Sequence, residues 1–245
     1  MPDKGFPAHS KTRNRFAVAL AVIAGTADAI GFIEYSQLFM SFMSGNTTRL
    51  GEAASGTYWE GVARFGGVIA IFCLGAFLGT LIAAWSGRWR LVSLLSIQAT
   101  LLVVGTFLPL GSEAIPWHVY PIVLALGLQN ATLQDEAGRS MALTYVTGTV
   151  VRFGAGLANL LLHKPAPSFW IQGPLWAGLT TGAVFGGVLQ HRFGEMAFLV
   201  PAAMLAILAT FALVILLRQP RSTLVTSEYA PQPDAHPEAK PTVLV

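Results

Sequence analysis

The sequence predicts an all-α integral membrane protein with about six transmembrane helices in two internal repeats. Hydrophobic residues make up 53% of the 245 residues and charged residues 11%, whereas about a quarter of the residues in a soluble domain are charged. The mean hydropathy is +0.59, and long apolar runs recur along the chain. The net charge of +3 comes with basic residues at the ends of apolar runs. This pattern is typical of cytoplasmic loops, so we expect the lipid bilayer as partner and no nucleic acid.

The first predicted repeat occupies residues 16–110 and follows a basic N-terminal tail, 1–15. Basic residues before the first apolar run place this tail on the cytoplasmic side. The first helix, 16–33, is longer than the apolar region of a cleaved signal peptide, so we predict that it is retained. Further apolar runs predict helices at 62–85 and 91–108.

The second predicted repeat occupies residues 116–217 and repeats this order. Its apolar runs predict helices at 117–133, 169–189 and 196–217. The remaining segment, 218–245, is rich in proline and carries scattered charges. It cannot bury a core, so we predict a disordered tail.

A short polar element occurs once in each half, at 39–51 and at 143–154. Each copy has a hydroxyl residue, a Gly, an Arg four residues later and a second Gly. The matching residues are Ser44, Gly45, Arg49 and Gly51 in the first copy and Thr147, Gly148, Arg152 and Gly154 in the second. Recurrence after about a hundred residues indicates a duplicated unit. We call these the first and second signature elements and predict that each is a short, re-entrant or broken helix buried in protein.

The number of crossings depends on the signature elements. If neither crosses, each half has three spans plus a short signature helix, and the halves are inverted, as in many secondary transporters. The loop with Arg88 and Arg90 then lies in the cytoplasm, as the positive-inside tendency favours, but Arg192 lies outside, against it. If both cross, there are eight spans and parallel halves. We favour six spans and inverted repeats.

Two arginines in the signature elements are the first functional candidates, because a charge within the bilayer is costly and usually has a partner. The forked guanidinium groups of Arg49 and Arg152 are suited to an anionic group on a substrate. Alternatively, the arginines pair with Asp28, with Glu34 or with helix-terminal carbonyl groups, or they extend to the membrane interface.

Asp28 and Asn130 occupy equivalent positions, since Gly25 and Gly127 precede them at the same spacing. Asp28 is either a proton or cation site or the fixed counter-ion of an arginine, and the sequence leaves both open. Asn130 and its neighbour Gln129 form hydrogen bonds but do not titrate. This asymmetry favours one titrating site over two.

Backbone N–H groups at the start of a signature helix would also bind an anion, although close packing explains the same small residues equally well. The candidate substrate-binding residues are therefore Asp28, Gly45, Asn46, Arg49, Gln129, Asn130, Thr147, Gly148 and Arg152. The five histidines are dispersed, and neither a zinc pattern nor a nucleotide or hydrolase motif occurs. We expect no metal, no cofactor and no catalytic residue. A lipid- or quinone-modifying site that uses Ser44 or Asp28 is the weaker alternative.

Three motifs carry a family resemblance: 43–51, 127–131 and 144–152. With them, residues 15–217 resemble the YoaK-like family of bacterial membrane proteins, DUF1275. The resemblance implies a multi-pass protein of the bacterial cytoplasmic membrane and implies no substrate.

Duplicated polar elements in an apolar chain favour a small-solute secondary transporter with its site at the repeat interface. The expected substrate is a small anion or organic acid, with proton coupling through Asp28. The alternative is a non-transporting scaffold in which the polar motifs serve helix packing. A chain of 245 residues is short for a transporter and is compatible with a homodimer.

Overall fold

The computed structural model describes residues 10–109, 117–132, 146–164 and 169–218, and every regular element in these ranges is helical. The helices are α1 (Ser10–Glu34), α2 (Met43–Ser55), α3 (Trp59–Trp85), α4 (Arg90–Phe107), α5 (Val119–Thr132), α6 (Val146–Leu161), α7 (Phe169–Phe193) and α8 (Leu199–Arg218). Short 3-10 helical turns at Gly87–Trp89 and Gly194–Phe198 precede α4 and α8. The predicted all-α class is confirmed.

Four stretches of the described residues are long and apolar enough to cross a membrane: Thr12–Glu34, Trp59–Trp85, Gly87–Phe107 and Phe169–Arg218. The last of these contains both α7 and α8, and α5 is apolar but has only 14 residues. These helices confirm a membrane-spanning protein. The arrangement of six spans in two repeats stays a prediction.

Several predicted boundaries differ from the observed helices. The first helix begins at Ser10 rather than at Phe16, so part of the predicted N-terminal tail is helical. In the first signature element, residues 38–42 are not helical, and α2 begins only at Met43. Residues 219–245 of the predicted disordered tail lie outside the described residues.

Helices α1 and α7 pack closely side by side in the same direction. A Cβ atom on Gly182 of α7 would overlap the carbonyl oxygen of Val22 of α1, and Thr26 Oγ1 donates a hydrogen bond to the Gly182 carbonyl oxygen at 3.1 Å. Towards the ends of both helices, Gln190 of α7 donates a hydrogen bond to Glu34 of α1. Such contact between backbones requires small residues at the helix interface.

Helices α3 and α5 form a second parallel pair. Gly67, in the first half of α3, lies against Tyr120 at the start of α5, and further along a Cβ atom on Gly75 would overlap the carbonyl oxygen of Leu124. We call the α1–α7 and α3–α5 contacts the two glycine seams.

The two seams run in opposite directions. The Tyr35 ring after the end of α1 contacts the His118 ring before the start of α5, with a centroid separation of 4.8 Å. Gln129 near the end of α5 donates a hydrogen bond of 2.8 Å to the carbonyl oxygen of Leu20 in the first half of α1. Helix α1 is therefore antiparallel to α5.

Basic residues at the turn between α3 and α4 cap the C-terminal ends of two other helices. Arg90 Nη2 donates to the Ala131 carbonyl oxygen at 2.6 Å, near the end of α5, and Arg88 Nη2 donates to the Leu216 carbonyl oxygen at 3.3 Å, near the end of α8. Cationic side chains at helix C-termini satisfy carbonyl groups that have no partner within the helix. The ends of α3, α5 and α8 therefore lie at the same end of the bundle.

Candidate functional site

The first signature element folds back alongside α1. Ser36 and Gln37 adopt left-handed backbone conformations, with φ of 47° and 67°, and they reverse the chain after α1. Residues 38–42 then return along α1 until Ser41 meets Asp28, which precedes the end of α1 by about 9 Å along the helix axis. Helix α2 runs back outward, so that Arg49 donates a hydrogen bond to the Gln37 side chain.

The Asp28 carboxylate accepts two hydrogen bonds from Ser41. The Ser41 backbone nitrogen and hydroxyl oxygen each lie 2.6 Å from a carboxylate oxygen. Asp28 therefore anchors the returning segment through Ser41 rather than through either arginine.

Asn46 and Gly45 hold the same segment from the other side. The buried Asn46 side chain accepts a hydrogen bond from the Phe39 nitrogen at 3.1 Å and donates one to the Phe39 carbonyl oxygen at 2.8 Å. A Cβ atom on Gly45 would lie 2.7 Å from the Phe42 ring and 2.8 Å from the Phe39 ring. Both residues thus position the loop, and neither lines the cavity described next.

A cavity of about 460 Å³ lies beside Asp28, where α1, the returning segment, α6 and α7 meet. Its walls include Asp28 and Phe32 of α1, Phe42 before α2, Thr147 of α6 and Leu179 of α7. This volume falls within the range of small-molecule pockets. The cavity therefore receives residues from both predicted repeats, including both signature elements.

Three aromatic rings form one wall of this cavity. The Phe32 and Phe39 ring centroids are 4.9 Å apart, and the Phe39 and Phe42 centroids are 5.1 Å apart in an edge-to-face arrangement. Such packing is favourable for aromatic pairs. The rings place apolar aromatic surface beside Asp28 in the cavity wall.

The predicted arginine candidates do not line this cavity. Arg49 is partly exposed and contacts Gln37, whereas Arg152 is exposed on α6, and its Nε donates to the Gln172 side chain at 3.3 Å. The structure therefore does not bring the two arginines together at Asp28. The expectation of an anionic substrate depended on these arginines.

Only some of the candidate residues from the second half line the cavity. Gln129 is buried against α1, and Asn130 Nδ2 donates to the carbonyl oxygens of Leu126 and Gly127 in its own helix. Thr147 lines the cavity, and the next residue, Gly148, is partly buried and does not.

Several important residues carry little signal in the sequence. Ser41 is one hydroxyl residue among many, and no motif marks it as the partner of Asp28. Arg64 is more visible as a charge in the apolar run of α3. It is buried, and its Nη2 donates to the Tyr35 carbonyl oxygen at 2.5 Å, so it caps the end of α1. In the described part of the chain, no cluster of three or more His, Cys, Asp or Glu could hold a metal ion.

A second polar group of residues surrounds Tyr35 at the end of α1. Its ring contacts His118 and stacks on Phe198 with a centroid separation of 6.2 Å. Burial lowers the pKa of His118 from its ordinary value, against the opposing effect of Glu195. Burial also raises the pKa of Tyr35, to which Glu195 and Glu34 contribute. Both groups are therefore held neutral near pH 7.

The helices and the cavity define a multi-helix membrane protein. The family model described as "Protein of unknown function (DUF1275)" matches residues 16–211, and the chain belongs to this family. The resemblance inferred from the sequence motifs is thus confirmed. A UPF0700 transmembrane protein of Rhizobium meliloti (strain 1021) is 34% identical over 211 residues, which cover 81% of this chain and 89% of the relative. No solved structure matches the chain significantly.

Proposed function

We propose that this protein is a small-solute secondary transporter of the bacterial cytoplasmic membrane, with its site between two inverted repeats. The single observation that carries the proposal is the cavity beside Asp28, which residues of both halves line. Phe32 and Phe42 come from the first half, and Thr147 and Leu179 come from the second. Secondary transporters of the inverted-repeat type place their substrate site at such a junction.

The contacts of the two glycine seams support the duplication. A Cβ atom on Gly25 of α1 would overlap the carbonyl oxygen of Leu179 of α7, and one on Gly127 of α5 would overlap that of Phe72 of α3. In the first contact, the glycine is in the first half and the carbonyl oxygen is in the second. In the other contact, the glycine is in the second half and the carbonyl oxygen is in the first.

Helix directions support the inversion. Helix α1 is antiparallel to α5, its counterpart in the second half, and the parallel seams make α3 antiparallel to α7. Three crossings in each half, with α2 and α6 as non-crossing signature helices, give this relation. Arg88 and Arg90 then lie on the cytoplasmic side, as the positive-inside tendency favours, while Arg192 lies on the opposite side.

Asp28 supplies the chemistry that a coupled transporter requires. Within the membrane, an acidic side chain is costly and usually marks a solute, ion or proton pathway. Its position at the cavity wall allows a bound solute or proton to interact with it directly. The cavity gives no support to an anionic substrate, since Arg49 and Arg152 lie elsewhere.

Access to the cavity from both sides of the membrane tests the proposal. We would place a cysteine at position 147 by the substitution Thr147→Cys in a Cys73→Ser background and treat right-side-out and inside-out vesicles with a charged, membrane-impermeant thiol reagent. An alternating-access transporter predicts labelling in both preparations. Labelling from one side only, or from neither, would contradict the transporter and favour a scaffold.

The protein with its native Cys73 is the matched control. Cys73 is exposed on the surface of α3 within an apolar run. A charged reagent does not enter the hydrocarbon region of the bilayer, where a charge is costly. We therefore expect no labelling of the native protein from either side.

A further inference from the structure

The cavity combines one carboxylate with an aromatic wall. Of the described residues that line it, Asp28 alone carries a formal charge, and Phe32, Phe39 and Phe42 lie beside it. The remaining wall consists largely of small and aliphatic side chains from α1 and α7. The chemistry of the cavity is thus acidic and apolar.

From this combination, we propose that the cavity binds an organic cation with an apolar body, such as an aryl- or alkylammonium compound. The face of an aromatic ring attracts a cation that lies within about 6 Å of its centroid. The carboxylate adds a full opposite charge, and the apolar walls accommodate the body of the solute. The carboxylate would instead repel an organic anion, and the low dielectric of the site strengthens this repulsion.

The contacts of Asp28 leave it able to bind a ligand. Each carboxylate oxygen has two lone-pair sites, and Ser41 donates one hydrogen bond of 2.6 Å to each oxygen. These bonds fix the carboxylate at the cavity wall, and its remaining acceptor capacity is available. Ser41 therefore positions the group that we infer to be the cation receptor.

This inference rests on the proposed function only for transport of the cation. Binding of the cation can be measured without transport. The full chain would be purified in detergent and titrated calorimetrically with benzyltrimethylammonium and with phenylmethanesulfonate. The two probes share a benzyl body and differ in the sign of their charge. We expect the cation to bind at least about tenfold more tightly than the sulfonate.

Asp28→Asn removes the charge and keeps the local structure. The asparagine Oδ1 accepts the hydrogen bond from the Ser41 nitrogen, and its Nδ2 donates to the Ser41 hydroxyl oxygen. The chain itself carries an asparagine at the equivalent position, Asn130. We expect this variant to fold and to lose the cation preference by about tenfold. Glu60→Gln removes an exposed carboxylate from the first turn of α3 and should leave the preference unchanged.

Equal or tighter binding of the sulfonate to the native protein would overturn the inference, as would a full cation preference in Asp28→Asn. If Asp28→Asn does not fold, Phe42→Leu takes its place, because it removes an aromatic face and keeps the charge. We then expect a several-fold loss of cation affinity, and an unchanged affinity would contradict the inference.

Uptake by proteoliposomes separates this inference from the proposed function. Binding of benzyltrimethylammonium without its uptake supports the cation site and contradicts the transporter. Uptake of the sulfonate without any cation preference supports the transporter and contradicts the cation site.

Discussion

The positions with equivalent spacing in the two halves, Asp28 and Asn130, carry side chains of different chemistry. The Asp28 carboxylate accepts hydrogen bonds from Ser41 and ties the segment before α2 to α1. The Asn130 side chain donates hydrogen bonds to carbonyl groups of its own helix. Among the described residues, only the first half contributes a carboxylate to the cavity.

The glycine seams show the opposite behaviour, because the α1–α7 and α3–α5 seams have nearly the same contacts. Gly182 meets Val22 in one seam, and Gly75 meets Leu124 in the other. Under the proposed duplication, one packing scaffold occurs twice, and the polar residues on it differ between the halves. Helix packing and charge chemistry can therefore be perturbed separately.

The largest expected effect is on the glycine seams. Gly182→Ala and Gly75→Ala each place a methyl group against a backbone carbonyl that cannot move freely. Overpacking of this kind lowers the free energy of unfolding by about 2–3 kcal/mol, and we expect similar losses from both variants. Thermal unfolding of the purified protein in detergent measures them.

Gly154→Ala is the control for this experiment, because a Cβ atom there meets no atom within 4 Å. A loss of stability in only one of the two seam variants would contradict the equivalence of the two glycine seams.

Reciprocal exchange at the diverged position has the next largest effect. Asp28→Asn retains both contacts with Ser41 and should change stability little. Asn130→Asp replaces a donor by an acceptor that faces the carbonyl oxygens of Leu126 and Gly127, and we expect a loss of about 1–3 kcal/mol. Chemical or thermal unfolding measures both variants. Equal losses in their free energies of unfolding would contradict the described difference between positions 28 and 130.

A smaller effect is expected at Gly45, below the aromatic wall. The methyl group of Gly45→Ala would push the Phe39 and Phe42 rings aside, at a cost of about 1 kcal/mol. Gly51→Ala in the same helix meets no atom within 4 Å and serves as control. Unfolding temperatures that do not differ between these variants would argue against the tight packing of the wall.

The smallest effect is a pH dependence at the end of α1. Burial lowers the folded-state pKa of His118, beside Tyr35, below its ordinary value of 6.5. The unfolded chain then binds the proton more readily, so this contribution to stability is present above pH 6.5 and is lost as the pH falls through the folded-state pKa.

Thermal unfolding between pH 7.5 and pH 5 measures this contribution, and His118→Gln should reduce the loss on acidification. An unchanged pH profile in His118→Gln would contradict the assignment.

The sequence predicted the helical elements well, because long apolar runs and short polar loops determine them. Apolar periodicity could not predict that residues 38–42 leave helical structure and return along α1, since that path depends on Asp28 meeting Ser41. The equivalent spacing of Asp28 and Asn130 predicts a position at which the halves differ.

For the arginines, the sequence left two placements open. A charge in an apolar chain indicates a buried or interfacial position, but it does not specify the partner. Arg49 and Arg152 contact glutamines instead of lining the cavity. The aromatic wall could not be foreseen, because Phe32, Phe39 and Phe42 resemble ordinary core residues until the chain reversal brings them together.

Cross-linking across the cavity tests most directly whether the two halves meet at Asp28. Ala29→Cys on α1 and Thr147→Cys on α6 place two thiols in the cavity wall, one from each half, in a Cys73→Ser background. We predict that dibromobimane joins them within one chain, and that the pair Ala29→Cys with Gly154→Cys, two turns further along α6, reacts far less. Equal cross-linking of both pairs, or none at positions 29 and 147, would contradict a shared cavity between the halves.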